Sequence, residues 1–236
     1  MRSQANDEPC FPQRPVARSV RQVKLGLLGG TFNPIHLGHL RIAEAAREVV
    51  GLERVLFIPA ADPPHKPLAG NVAFEQRYAM VRLAIADQPS FAISDIEARR
   101  QGKSYTVETL TALRKERSED ELYFIVGSDS FLEIGLWHRF AELFNLASLV
   151  VVARPGSLVT EPIQQLPEEV RESFNQEESG CLRHVTGSTI RFVEDCRLEI
   201  SSSHLRDLTA EGRSLRYLVP PDVGTYIAQK GLYRTW

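Results

Sequence analysis

From Val23 onward, short apolar runs alternate with stretches whose apolar positions recur at helical spacing. "VKLGLLGG" (23–30) and "RVLFIPA" (54–60) predict strands on either side of a helix in "GHLRIAEAAREVVG" (38–51). A proline-rich loop, "ADPPHKPLAG" (61–70), leads to a helix in "FEQRYAMVRLAIAD" (74–87), an extended stretch "FAISDIEARR" (91–100), a helix in "YTVETLTALRKE" (105–116) and a strand in "ELYFIVGSD" (121–129). "SLVVVARPG" (148–156) is a near-continuous β-branched run of the kind buried on both faces of a parallel sheet, and it is expected to be the last core strand.

Beyond that run the regularity weakens. Residues 156–192 predict a helix around "PEEVRESFN" (167–175) and otherwise loop. "LEISSSHLRDLTAEG" (198–212) reads as a short strand entering a capped helix, and "PPDVGTYIAQKGLY" (220–233) as a terminal helix with Pro at its start and Gly at its end. No internal repeat is present. The alternation predicts an α/β fold with a doubly wound, Rossmann-like parallel sheet and a small C-terminal helical part, forming one domain over 24–236. Residues 1–23 mix Pro, Arg, Gln and acids without periodicity and are expected to be a disordered tail. Asp7 and Glu8 weigh against a transit peptide there.

Charge narrows the range of partners. Lys plus Arg number 28 against 30 Asp plus Glu, a formal net charge of −2, so no global basic field argues for nucleic acid and any anion binding must be local. Cys10, Cys181 and Cys196 are odd in number, far apart and without a C-x-x-C pair, which speaks against a disulfide framework or a zinc cluster and for a reducing compartment. No apolar run approaches the ~20 residues that span a bilayer, and the N-terminus lacks the apolar centre of a signal peptide. No membrane partner is therefore expected, the cytoplasm is the expected location, and assembly into a homo-oligomer stays open.

Candidate chemistry concentrates in "GGTFNPIHLGH" (29–39), just past the first strand. In open parallel sheets ligands sit at the carboxyl ends of strands. Gly29 and Gly30 allow close backbone approach there, Pro34 fixes the turn, and the helix beginning near Gly38 offers unpaired N–H groups and the positive end of its dipole to an anion. Phosphate is the natural guest. His36 and His39, three apart, would share one helical face and could also suggest a metal pair or simple caps, but no third ligand stands at a recognisable spacing. "GKS" (102–104) is not a Walker A loop, since Glu97 stands where its first glycine belongs, and "GGTFNP" lacks the G-x-G-x-x-G spacing of dinucleotide binders.

"GGTFNPIHLGH" resembles the G-x-F-x-P-x-H-x-G-H signature of the nucleotidyltransferase superfamily. Within it, "PPHK" (63–66), "SYTVETL" (104–110), "GSDSFLEIGLWHRFAEL" (127–143) and "ISSSHLR" (200–206) resemble segments of the nicotinate-nucleotide adenylyltransferase family, over roughly 24–233. The resemblance implies transfer of AMP from ATP to nicotinate mononucleotide, a step of NAD biosynthesis, with Mg²⁺ carried on the ATP phosphates and no metal ligand cluster in the protein. It implies that His36 and His39 contact the phosphates, with Gly30, Thr31 and Phe32 beside the reacting α-phosphate. Lys66 would add a mobile charge, and Ser202, Ser203 and Arg206 a second cradle in which Arg206 forks onto the departing phosphates. His36, His39 and Arg206 would thus be the catalytic set. Gly127 and Asp129 would lie on the ATP side. Trp137 would stack on the pyridine ring, while the backbone of Tyr105 and Thr106 would receive the nicotinate carboxylate.

Three departures from the family pattern are visible: Asn33 for the commoner Asp, Ser203 for Thr, and Leu205 for a β-branched residue. Two other readings stay open. One is a sister enzyme with another acceptor, phosphopantetheine or a flavin nucleotide, and the other a nucleotide sensor without turnover. The loop 60–72, bounded by Pro and Gly, is the candidate to close over substrate.

Overall fold

The structure, a computed structural model, describes residues 22–63, 70, 72–154, 156, 159–177, 180–194 and 198–234. Eight strands form one sheet: β1 (Lys24–Gly30), β2 (Arg54–Pro59), β3 (Phe91–Ile93), β4 (Glu121–Gly127), β5 (Ser148–Val152), β6 (Phe174–Gln176), β7 (Leu182–His184) and β8 (Thr189–Val193). Their spatial order is β3-β2-β1-β4-β5-β8-β7-β6. The six strands from β3 to β8 run parallel, whereas β7 and β6 add an antiparallel edge.

The long helices are α1 (Leu37–Val50), α2 (Phe74–Ala84), α3 (Thr106–Glu116), α7 (Ser202–Ala210) and α8 (Pro221–Lys230). Three short ones, α4 (Ser128–Leu132), α5 (Leu143–Leu146) and α6 (Glu168–Arg171), lie between them. Strand runs that are apolar at every position feed two cores, because alternate residues point to opposite faces. Val150 and Val152 pack with Ile42 of α1, Met80 of α2, Leu205 of α7 and Ile227 of α8. Leu149 and Val151 pack with Leu110 of α3, Phe131 of α4 and Phe144 of α5. The sheet is thus covered on both faces, as the doubly wound expectation requires.

The stretch 156–192 departs from expectation. β5 is not the last core strand, since β8 pairs beside it in parallel register, Leu149 opposite Ile190. β6 and β7 have three residues each, too few to display a period-two pattern, and edge strands this short carry polar positions that read as loop. The expected strand before α7 is not formed: residues 198–200 join no sheet. Residues 1–21 of the expected tail lie outside the described residues, as do Cys10 and Cys196, while Cys181 is a buried free thiol.

The order places β1 between β2 and β4, with the chain winding outward to β2 and β3 on one side and to β4 and β5 on the other. That is the topological switch point, and the crevice at its carboxyl end is where a ligand belongs.

Candidate active site

β1 ends at Gly30, and the next six residues turn the chain into α1. Phe32 adopts φ 48° within this turn and is 1% exposed, its ring wedged edge-on against His39 and near Phe57. A non-glycine residue in the left-handed region is held there only by its surroundings. The Asn33–Pro34 peptide is cis. Three carbonyls of the turn accept hydrogen bonds from side chains: Thr31 from Arg77 Nη1 at 2.8 Å, Asn33 from Arg206 Nη1 at 2.8 Å, and Pro34 from Ser202 Oγ at 2.9 Å. Tyr233 Oη donates to Asn33 Oδ1 at 2.7 Å, both residues being buried.

His36 is the N-cap of α1, and the imidazoles of His36 and His39 stack with centroids 3.7 Å apart. The backbone N–H of His36 donates to His39 Nδ1 at 3.3 Å. That bond leaves the neutral His39 with its proton on Nε2, a donor free of the cap. Burial pulls the His36 pKa down to about 4, with the Arg154 charge adding to it. Burial likewise holds His39 well below its usual range, followed by His36 and Arg154. Both rings are therefore neutral near pH 7. Gly38 allows this close packing, because a Cβ there would stand 3.0 Å from His36 Nδ1 and 3.1 Å from Cε1 and would push the ring aside.

The depressed pKa of His36 makes a stability prediction. The unfolded chain takes up a proton below pH 6.5, while the folded chain resists it until about pH 4. The contribution of neutral His36 is thus complete above pH 6.5 and is lost as pH falls toward 4, by roughly 1.4 kcal/mol per unit and roughly 3 kcal/mol in all. Urea midpoints at pH 7 and pH 4.5 should separate more for the natural protein than for His36→Gln. Equal slopes in the two proteins would show that His36 carries no such linkage.

The first turn of α1 offers less backbone than its sequence suggests. Leu37 N–H already donates to Leu218 O at 3.0 Å and His39 N–H to His36 O at 3.0 Å, so these two amides are not free for a ligand. α7 starts beside the same turn, with Ser201 as N-cap accepting from His204 N–H at 3.2 Å. Arg206 Nη2 donates to Ser203 Oγ at 3.1 Å, so this guanidinium joins α7 to the turn instead of standing free. The physical reason is proximity: the Asn33 and Pro34 carbonyls lie within reach of α7 and need partners.

Two cavities flank the turn. One, of about 470 Å³, is lined by His36, Gly38, Asp129, Arg154, Ser201 and His204. Asp129 pairs there with Arg154 at 3.3 Å, and Gly127 leaves room for the pair, since a Cβ would meet Asp129 Oδ1 at 2.5 Å. The other, of about 290 Å³, is lined by Gly30, Thr31, Ser104, Thr106, Phe124 and Trp137. Trp137 stands edge-on to Phe124 at 6.0 Å, and Tyr105 lies against His138 at 4.3 Å. Ser104 Oγ accepts the N–H groups of Ala61 and Asp62 at 3.0 Å each, tying the start of the 60–72 loop to this wall. A larger groove of about 980 Å³ between α7 and α8 is lined by Arg213, Tyr217, Ile227 and neighbours, and it includes neither imidazole.

The structure thus gathers His36 and Asp129 at one cavity and Gly30, Thr31, Thr106 and Trp137 at the other. Lys66 and most of the candidate lid lie outside the described residues. Arg154 and Arg77 were not foreseen. The first sits at the carboxyl end of a strand run, where the strand-end rule would have found it. Among the described residues no group of three His, Cys, Asp or Glu side chains is placed to hold a metal ion, and no helix is long and apolar enough to cross a membrane.

A doubly wound sheet with stacked imidazoles at the switch point, and a second helix start braced against the same turn, is the arrangement expected from the resemblance to the nucleotidyltransferase class. A family profile described as "Cytidylyltransferase-like" matches residues 27–208. A "Probable nicotinate-nucleotide adenylyltransferase" of Trichlorobacter lovleyi is 66% identical over 212 residues, covering 90% of this chain and 100% of that protein. One of the same name from Pelobacter propionicus is 54% identical over 212 residues, covering 89% and 98%. The chain belongs to the cytidylyltransferase-like family and, within it, to the nicotinate-nucleotide adenylyltransferases. In fold it is similar to Plasmodium falciparum nicotinic acid mononucleotide adenylyltransferase complexed with NaAD, with a TM-score of 0.71 at 17% identity over 90% of this chain and 98% of that one.

Proposed function

We propose that the chain transfers AMP from ATP to nicotinate mononucleotide, giving deamido-NAD and pyrophosphate, and that the two cavities flanking the 29–36 turn hold the two substrates. The observation that carries this reading is the pair of cavities on either side of the turn: a more polar one lined by His36, with His39 stacked on it, together with Asp129 and Arg154, and a more apolar one lined by Trp137 and Thr106. ATP takes the first, its phosphates reaching His36 and His39. The mononucleotide takes the second, its pyridine on Trp137 and its carboxylate at the start of α3, where first-turn N–H groups and the helix dipole favour an anion.

In the reaction a phosphate oxygen of the mononucleotide bonds to the α-phosphorus of ATP as the bond to the β-phosphate oxygen breaks. Transfer of this kind asks of the protein placement and positive potential rather than a covalent intermediate. His39 Nε2–H donates to an oxygen on which charge builds, and the remaining donors of Arg206 meet the departing pyrophosphate. Nucleotidyltransferases of this kind use a divalent metal with ATP. We take it to be Mg²⁺, which supplies charge neutralisation between phosphates. The donors at the turn, imidazole, guanidinium and hydroxyl, fit a cation carried in on the phosphates rather than one ligated by carboxylates.

Pyrophosphate release with Mg-ATP tests the reading, with nicotinate mononucleotide, nicotinamide mononucleotide, phosphopantetheine and flavin mononucleotide offered separately. Selective turnover of the first is the expected result. Turnover of another acceptor alone would overturn the substrate assignment, and ATP binding without turnover on any acceptor would favour a sensor.

A further inference from the structure

Arg77 is an unusual resident of a helix core. In α2 it shares the inward face with Met80, Val81 and Ala84, and it is 0% exposed. Its guanidinium lies 5.7 Å from the centre of the Phe74 ring, and its Nη1 donates to Thr31 O, yet Nε and Nη2 are buried and without partners. A buried cation left with spare donors is costly, and such a group persists where it serves something besides packing.

The peptide it grips joins Thr31 to Phe32. In a planar trans peptide the carbonyl and the following N–H point in opposite directions. Fixing Thr31 O toward α2 therefore fixes the Phe32 N–H away from it. Thr31 lines the cavity that holds Trp137, so this peptide lies at the edge of the substrate crevice. The same grip secures Phe32 at φ 48°, a conformation that relaxes if unsupported. Phe32 in turn abuts the His39 imidazole, with ring centroids 5.1 Å apart.

We propose that Arg77 is a positioning residue for phosphoryl transfer: from beneath the turn it locks the Thr31–Phe32 peptide, and through Phe32 the His39 ring, in the orientation that meets the reacting phosphate. The proposal rests on the reading of the 29–36 turn as the phosphate-handling segment. Burial lowers the affinity of this guanidinium for its proton, and Tyr233, Glu75 and Glu97 are the anionic or titratable groups acting against that. Its charge is thus uncompensated by any ion pair among the described residues, so it adds positive potential beneath the turn.

Two variants and two readouts test the assignment. Arg77→Gln keeps a shorter neutral donor without the charge or the fork, while Arg77→Lys keeps the charge. With Mg-ATP and nicotinate mononucleotide, Arg77→Gln should lose kcat on the order of 30- to 100-fold, with both KM values changed by less than about threefold. Arg77→Lys should recover to within about fivefold of the natural protein. Hydrogen exchange without ligand should speed up about tenfold or more in 31–36 for Arg77→Gln, with exchange in β4 and β5 unchanged. Exchange that rises evenly through the chain, or kcat that survives in Arg77→Gln at a temperature where it is folded, would overturn the proposal. The exchange measurement needs no turnover. If the natural protein fails on every acceptor, the functional reading falls while the grip on the turn is still decided.

Discussion

His39→Ala is expected to lower kcat on the order of 10²- to 10³-fold while leaving the KM for ATP within about threefold. The neutral ring presents Nε2–H because its Nδ1 accepts the backbone N–H of His36 at 3.3 Å. In the proposed ground-state complex that donor would meet a phosphate oxygen of ATP whose charge is not yet concentrated. As the bond to the leaving group stretches, charge gathers on the oxygens and the same contact strengthens, so it acts on the transition state more than on binding. The stacking on His36 and the edge contact with Phe32 hold the ring before substrate arrives, so little reorganisation is needed. Steady-state kinetics at saturating mononucleotide decide the matter. A KM for ATP that rises in step with the fall in kcat/KM would mean that His39 serves ground-state binding only.

Trp137→Ala should raise the KM for nicotinate mononucleotide on the order of tenfold, corresponding to about 1–3 kcal/mol for a ring stacked on an indole, and should leave the KM for ATP within about twofold. The separation follows from geometry. Trp137 lines the cavity with Thr31 and Thr106, whereas His36, Asp129 and Arg154 line the other. Trp137 is half-buried and leans edge-on against Phe124, so one face is supported while the indole still borders open space. Tryptophan fluorescence of the natural protein, titrated with each substrate, gives an independent measure: the mononucleotide should quench it and ATP alone should not. A rise in the ATP KM instead would place the wrong substrate in the wrong cavity.

Much of this was legible in the sequence, and the reason is local. The period of the apolar positions separated the long helices from the core strands through β5, because strands buried on both faces carry near-continuous apolar runs, whereas the short α4 and α5 carry too few turns to show a helical period and were not read. "GGTFNPIHLGH" announced a strand-end turn, since its glycines, proline and imidazoles are needed there for reasons that act within eleven residues. The β6–β7 hairpin escaped because three-residue strands carry too little pattern. Arg77 escaped for a different reason, although its position left a trace: an arginine at i with apolar residues at i+3, i+4 and i+7 sits on the buried face of a helix.

What the sequence by itself determined is therefore the order of the elements, their period and the chemical types gathered after β1. Only the tertiary structure decided what those groups do to one another. That Thr31, Asn33 and Pro34 are held by Arg77, Arg206 and Ser202, from 46 to 173 positions away, is a property of how α2 and α7 pack on the sheet. That both imidazoles are neutral follows from burial and from Arg154 at the end of a different strand. Charge, proton affinity and the aim of a peptide depend on distance in space, and no spacing along the chain encodes it.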